Sequence, residues 1–285
     1  MEEEIQFYRA PGHYTDPKEF RFFLQSLPDN LEEIIRFIKA ILIHPIEARN
    51  NDVKFNYKKA LRSQLDYRSI DHILSEPHVS ALLSKQTLDI QSNPSQRGIF
   101  SCDHHAVVFA SVLRLKGKPV RVRCGYATYL IPDRYTPHWI CEIYDEQKRK
   151  WKFIDPEQAI LNLVRGSFLP AGKAWLAVRK GQIALEKIVP DYRTGSDGVK
   201  YRLLNDINAL MKNEFLNYDW IIKEAMPRPP KLFSKSVSNL DETEQNLLTT
   251  LAEISSEEEP SLSIICTKYQ TYVHVENLWS EEPTA

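Results

Sequence analysis

Apolar residues recur with a helical period along the first part of the chain. Between Asn30 and Pro45 they fall three and four positions apart, which predicts an amphipathic helix that opens at an Asn30 cap, has Glu33 in capping-box position and ends at Pro45. Shorter helices are predicted near 17–27, 53–64 and 67–75. The first eighty or so residues are therefore interpreted as a helical lead-in.

The period changes in the middle of the chain. A buried helix is predicted from Cys102 to Lys116, because apolar residues cover most of its circumference and Gly117 and Pro119 follow as a stop signal. Beyond it, alternating apolar and polar positions predict strands near 120–124, 138–144 and 150–155. The remaining predicted elements are a helix near 202–224, a proline-rich joint at 227–230, an acidic helix near 240–254 and a β-like segment over 269–279.

Together these elements predict an α+β fold in which helices lie on one side of a small antiparallel sheet. Residues 165–200 are rich in turn formers and give no clear period. We divide the chain into a domain over 1–225 and a proline-rich joint with a helical tail over 226–285. The domain is subdivided into the lead-in over 1–84, a core over 85–160 and completing segments over 161–225.

Composition and charge exclude several classes of function. The 285-residue chain has a formal net charge of −1, so no global basic field would gather nucleic acid or anionic lipid. No apolar run approaches the roughly 20 residues of a membrane-spanning helix, and the acidic N-terminal stretch lacks the apolar segment of a signal peptide. The four cysteines show no close pairing and are interpreted as free thiols. We therefore expect a cytoplasmic protein without a nucleic-acid or membrane partner.

Cys102 is the candidate nucleophile because it begins the predicted buried helix. A helix N-terminus carries about half a positive charge, which favours a thiolate, and its free backbone N–H groups can hold an oxyanion. A cysteine nucleophile also needs a base and a group that orients the base. His138 and Asp155 supply both if their strands form an antiparallel hairpin.

The register of that hairpin predicts the pairing of His138 with Asp155. If the loop covers 145–148, residue 144 faces residue 149, and His138 directly faces Asp155. Opposed residues have Cβ atoms roughly 4.5–5.5 Å apart, which suits a hydrogen bond between imidazole and carboxylate. In the same register Trp139, Cys141 and Ile143 would point to the other face.

Three separated segments, RGIFSCDHHAVVFASVLRLKGKPVRVRCGYATYL, HWICEIYD and WKFIDPE, resemble the transglutaminase-like superfamily, which is related to papain. The stretches ILIHP, FLPAGKAW and LLNDINALMKNEFLNYDW extend the resemblance to a group of bacterial transglutaminase-like proteins, over roughly residues 30–225. The resemblance implies a papain-like core and a Cys–His–Asp triad, here Cys102, His138 and Asp155. Two motifs depart from the group's pattern: Asp103-His104 replaces an Arg-Asp pair after the cysteine, and Pro137 replaces Asp before the histidine.

The function implied by the triad is attack on an amide or thioester carbonyl through an acyl-enzyme, followed by hydrolysis or by acyl transfer to an amine. A peptide, a protein or a small amide would be the substrate, and no cofactor is expected. One alternative is a catalytically inactive binding or scaffold protein of the same fold. A second is a zinc-dependent hydrolase that uses Cys102, His138 and neighbouring groups, the candidates being His104, His105 and Cys141.

Overall fold

A computed structural model describes residues 2–58, 60, 64, 66–84, 92–164, 166–191, 193–214 and 231–270. It has mixed helical and sheet structure, as the predicted α+β class requires. Contacts divide the chain into two compact units. The first comprises the described residues of 1–123, 138–167 and 212–216, and the second those of 124–137, 168–211 and 217–285. The predicted boundary between residues 225 and 226 lies outside the described residues.

Short helices open the first unit, as the sequence predicts. They are α1 (Glu2–Arg9), α2 (Arg21–Ser26), α3 (Leu31–Ile41), α4 (Pro45–Asn50), α5 (Ile70–Ser75) and α6 (Pro77–Leu83), with 3₁₀ turns at His13–Thr15, Lys18–Phe20 and Pro94–Gln96. The Asn30 side chain caps α3 by accepting hydrogen bonds from the backbone N–H groups of Glu32 and Glu33. The predicted helix near 53–64 extends outside the described residues.

Helix α3 ends earlier than its apolar pattern predicts. Strand β1 (Leu42–Ile43) follows Ile41 at once and pairs in parallel with β2 (Gly98–Ile99), so the chain leaves the helical path before Pro45. Pro45 instead occupies the first turn of α4, where its missing N–H costs nothing. This pairing fixes the chain just before Cys102, because Phe100 N–H also donates to the Ile43 carbonyl.

The central helix of the first unit is α7 (Cys102–Leu115), and its predicted bounds are confirmed to within one residue. It contacts α2, α3 and α5, and every residue from Cys102 to Arg114 is buried. Gly117 has φ +70° and ends the helix, with its N–H bonded to the Arg114 carbonyl and the Lys118 N–H bonded to the Leu113 carbonyl. The helix is therefore held at both ends inside the unit.

A four-stranded sheet has the order β5-β4-β3-β6, formed by β3 (Val120–Ala127), β4 (Thr136–Asp145), β5 (Lys150–Ile154) and β6 (Phe168–Pro170). Strands β4 and β5 form the predicted antiparallel hairpin, but Asp145 pairs with Lys150 and Cys141 with Ile154. The loop therefore covers 146–149 instead of 145–148, and the predicted register is wrong by two residues. Arg149 in this loop has φ +49°, a turn conformation that the alternation of apolar residues does not encode.

Within the described residues, the second unit contains the last part of β3, β6 and five α-helices: α8 (Ala171–Arg179), α9 (Gly195–Leu210), α10 (Lys231–Ser234), α11 (Glu242–Ser255) and α12 (Leu262–Gln270). Helices α8, α9 and α11 pack against one another. Gly125 permits the pairing of β3 with β6, since a Cβ there would clash with the Leu169 carbonyl oxygen. The β-like prediction is wrong for Tyr269 and Gln270, which are helical, and its remainder lies outside the described residues.

None of the helices in the described part of the chain is long and apolar enough to cross a membrane.

Candidate active site

The candidate site lies entirely in the first unit, at the N-terminal end of α7. Cys102 is the first residue of this helix, and only 6% of its surface is exposed. Ser101 occupies the N-cap position with an extended backbone, and its hydroxyl donates to the Gln64 side chain instead of capping the helix. The positive end of α7 therefore lies at the Cys102 thiol.

His138 lies on β4, beside the Cys102 thiol. Both side chains are buried, their ligand atoms lie within 4.8 Å of each other, and the hydrogen bond and charge of His138 lower the pKa of the Cys102 thiol. Packing of α7 against β4 brings Cys102 and His138 together. The same packing is seen where the Cys141 thiol on β4 donates to the Ala106 carbonyl on α7 at 3.4 Å. The hairpin register alone cannot predict that the start of α7 lies against β4.

Asp155 orients the His138 ring from the other side. Its Oδ2 is 2.7 Å from His138 Nε2, and its Oδ1 accepts the backbone N–H groups of Glu157 and Gln158 at 3.0 and 2.9 Å. With three hydrogen bonds and no exposed surface, the carboxylate has a fixed orientation. The structure therefore brings Cys102, His138 and Asp155 together in the predicted order.

The corrected register explains how His138 still reaches Asp155. A shift of two residues keeps every side chain on its face of the sheet, because side-chain direction alternates with a period of two. Continuing the observed register would place His138 opposite Glu157, with Asp155 as its diagonal neighbour. Asp155 follows the last residue of β5 and turns the chain, with reciprocal backbone hydrogen bonds to Ile160.

Glu157 is the member of the site that sequence reasoning missed. Its side chain is 7% exposed, and its Oε2 lies 3.8 Å from His138 Nδ1. The Gln158 side chain donates to its Oε1 at 2.8 Å, and Lys39 donates to its backbone carbonyl at 2.9 Å. The tight turn after Asp155 folds Glu157 back towards His138. The predicted register places Asp155 opposite His138 and therefore does not point to Glu157. The observed register, when continued, places Glu157 opposite His138.

Electrostatics at the site differ from the expectation based on the helix N-terminus alone. Burial raises the pKa of the Cys102 thiol, the hydrogen bond and charge of His138 lower it, and the charges of Asp103 and Glu157 add to the increase. Burial lowers the pKa of His138, but the charge and hydrogen bond of Asp155, together with the hydrogen bond to Cys102, raise it well above its ordinary value. The buried imidazolium is therefore favoured, and the closed site resists formation of the thiolate.

The other predicted zinc candidates do not converge on Cys102. His104 Nδ1 lies 2.9 Å from Asp103 Oδ1, and His105 Nδ1 lies 3.0 Å from the Ser101 carbonyl. The Cys141 thiol is bonded to the backbone of α7. Among the described residues, three other ligand atoms lie within 4.8 Å of one another. They belong to Cys102, His138 and Glu157.

Burial of His105 predicts a loss of stability in acid. Burial lowers its pKa to about 4, so the folded state stays neutral where the unfolded chain, with a pKa of about 6.5, binds a proton. Stability is therefore lost as pH falls from about 6.5 to about 4. Between pH 7 and pH 5 we expect His105 to account for a decrease of about 2 kcal/mol in the free energy of unfolding.

Urea unfolding of the wild type and of His105→Gln at both pH values measures this contribution. Gln keeps a donor for the Ser101 carbonyl but cannot titrate, so the variant should lose about 2 kcal/mol less than the wild type. The exposed His78→Gln is the matched control and should behave like the wild type. Equal pH dependence in His105→Gln and the wild type would contradict the prediction.

No family model, no curated protein and no solved structure matches this chain.

Two acidic residues of the stretch LLNDINALMKNEFLNYDW have structural partners. Asp206 Oδ1 accepts the backbone N–H of Cys124 inside the second unit. Glu214 forms a buried ion pair with Arg114 in the first unit, with 2.7 Å between Oε1 and NH1. Both acids therefore support the fold. Asp219 and Trp220, at the end of the same stretch, lie outside the described residues.

Proposed function

We propose that this protein is a cysteine-dependent enzyme with a transglutaminase-like, papain-related core that acts on an amide or thioester bond. The supporting observation is the buried series of contacts from the Cys102 thiol through His138 to Asp155, with the thiol at the start of α7. Nucleophile, base and orienting acid are the three parts that covalent catalysis by cysteine requires. A helix packed against an antiparallel hairpin is also what a papain-like core would contain.

The proposed reaction has two half-reactions. The Cys102 thiolate attacks the substrate carbonyl carbon, and the imidazolium of His138 donates its proton to the departing amine or thiolate as the carbon–heteroatom bond breaks. The product of this step is a thioester between Cys102 and the acyl group. Water or an amine then attacks the thioester and gives its proton to His138. The carbon–sulfur bond breaks, which releases the acid or the new amide and regenerates the Cys102 thiolate.

Asp155 and the helix N-terminus support these steps. Asp155 holds Nε2 of the ring, which leaves Nδ1 to exchange the proton with Cys102 and the leaving group. We assign the Cys102 backbone N–H as an oxyanion donor, because a group bound at the thiol lies at the positive end of α7. The substrate would be a peptide, a protein or a small amide. The four cysteines, all within the described residues, are not joined in disulfides, which suits the cytoplasm as the compartment.

Alkylation kinetics test the proposal without a known substrate. The His138 hydrogen bond and charge lower the Cys102 pKa, so we expect His138→Gln to slow iodoacetamide labelling of Cys102 at least about 10-fold at pH 7.5 in EDTA. Peptide mass spectrometry distinguishes Cys102 from the other cysteines. His78→Gln replaces an exposed histidine and should label like the wild type.

A catalytically silent binding protein is the second candidate, favoured by the burial of the thiol and the increase in its pKa. It predicts slow labelling of Cys102 in the wild type and no effect of His138→Gln. That pair of results would replace the enzyme proposal with the binding role.

A further inference from the structure

Three buried side chains of different chemistry converge beside α7. The Cys102 thiol, the His138 imidazole and the Glu157 carboxylate each place one ligand atom within 4.8 Å of the other two. The distance from His138 Nδ1 to Glu157 Oε2 is 3.8 Å. In a tetrahedral zinc centre, bonds of about 2.0–2.3 Å separate the ligand atoms by roughly 3.3–3.7 Å. Small side-chain rotations would therefore bring all three atoms onto one ion.

The His138 ring is already oriented as a metal ligand requires. Asp155 Oδ2 accepts from Nε2, which leaves Nδ1 directed at Cys102 and Glu157. A histidine that binds zinc characteristically donates its other ring N–H to a carboxylate, which fixes the tautomer. The hydrogen bond from His138 to Asp155 therefore orients the ring equally well for binding a metal ion and for contact with a thiol.

The position of Glu157 has no use in the proposed acyl-transfer chemistry. A carboxylate beside the nucleophile opposes the thiolate, because the charge of Glu157 raises the pKa of the Cys102 thiol. Gln158 occupies Oε1, and the backbone bond to Asp155 holds the turn in place, so Oε2 is presented to His138. A divalent cation between the thiolate and Glu157 would neutralise both charges.

We infer that Cys102, His138 and Glu157 form a binding site for Zn²⁺, which reversibly blocks the nucleophile. A thiolate, an imidazole and a carboxylate together select zinc over calcium and magnesium, which prefer oxygen ligands. Three protein ligands leave the fourth position for water. The blocking role rests on the proposed function, because it requires that Cys102 is the reacting group.

Titration of the metal-free protein with Zn²⁺ against a chromophoric chelator tests the site at pH 7.5. We expect one ion per chain and protection of Cys102 from iodoacetamide by one equivalent of Zn²⁺. Cys102→Ser should weaken binding at least about 100-fold, and Glu157→Gln about 10- to 100-fold. Cys266→Ser removes a thiol outside the cluster and should bind like the wild type.

Cobalt substitution identifies the ligands independently of affinity. Co²⁺ should give a thiolate-to-metal charge-transfer band and intense visible bands of tetrahedral coordination. The charge-transfer band should disappear in Cys102→Ser and persist in Glu157→Gln. Circular dichroism and thermal unfolding of each metal-free variant establish that it is folded.

Two kinds of result would overturn the inference, one concerning binding and one concerning catalysis. The first is Zn²⁺ binding that neither Cys102→Ser nor Glu157→Gln weakens, or no binding in the micromolar range. The second is a zinc-loaded protein that forms acyl-enzyme faster than the metal-free protein, which would make the metal catalytic. Failure of the acyl-enzyme proposal is detected separately, by the His138 dependence of labelling in EDTA.

Discussion

Replacing Cys102 with alanine is expected to abolish acyl-enzyme formation. With p-nitrophenyl acetate as an activated acyl donor, the wild type should release p-nitrophenol in a burst and gain one acetyl group on the peptide that contains Cys102. The variant has no nucleophile, so the burst should fall at least about 1,000-fold, to the background of hydrolysis in solution. Stopped-flow absorbance and peptide mass spectrometry measure the two quantities.

The same substitution should change stability little. Cys102 is a small side chain at the start of α7, and removal of one sulfur atom from a buried position costs about 1 kcal/mol. Cys266→Ala is the matched control and should retain the full burst. A Cys102→Ala protein that unfolds at the wild-type urea concentration yet still shows the burst would eliminate Cys102 as the nucleophile.

Local sequence signals predict the elements around the site well. The Cys102 helix and its Gly117 stop follow from apolar periodicity and from a glycine that tolerates positive φ, and both are confirmed. Strands β4 and β5 follow from alternation with a period of two and are found within two residues of the predicted ends. These signals are local, so they need no knowledge of distant contacts.

The sequence pattern predicts the register and the loop of the hairpin less well. The alternating pattern specifies which face a side chain occupies, but a slip of two residues leaves that pattern intact. Because the loop covers 146–149, the observed register differs from the predicted one by two residues. If this register is continued, Glu157 rather than Asp155 lies opposite His138. A shift of two residues keeps the His138 and Asp155 side chains on the same face of the sheet, which is why they still meet.

Long-range pairing was outside the reach of the sequence pattern. The parallel pair β1–β2 has only two residues in each strand, and nothing in the Leu42–Ile43 segment indicates its partner. The turn-rich 165–200 segment contains β6 and α8, whose position depends on contact with β3 and on packing with α9 and α11. Burial of the Cys102 thiol also follows from tertiary packing, and it reverses the electrostatic expectation based on the helix start.

Replacing Asp155 with asparagine is expected to slow acylation by about 10³- to 10⁴-fold while preserving the shape of the site. Oδ1 of Asp155 accepts two backbone N–H groups, so the asparagine carbonyl oxygen must occupy that position. Its NH₂ group then faces His138 Nε2 and donates where the carboxylate accepted. The ring is forced to carry its proton on Nδ1, the wrong tautomer for a base directed at Cys102. The lost rate corresponds to about 4–5.5 kcal/mol of transition-state stabilisation.

The pKa of His138 separates this orienting role from a purely structural one. The charge of Asp155 opposes burial and holds that pKa well above its ordinary value, so Asp155→Asn should lower it, as measured by NMR titration of the His138 ring. Asp145→Asn makes the same chemical change elsewhere on the hairpin, where Asp145 pairs with Lys152, and should alter neither the burst rate nor the His138 titration. If Asp155→Asn loses activity while the His138 pKa stays where it is in the wild type, Asp155 supports the hairpin and does not orient the base.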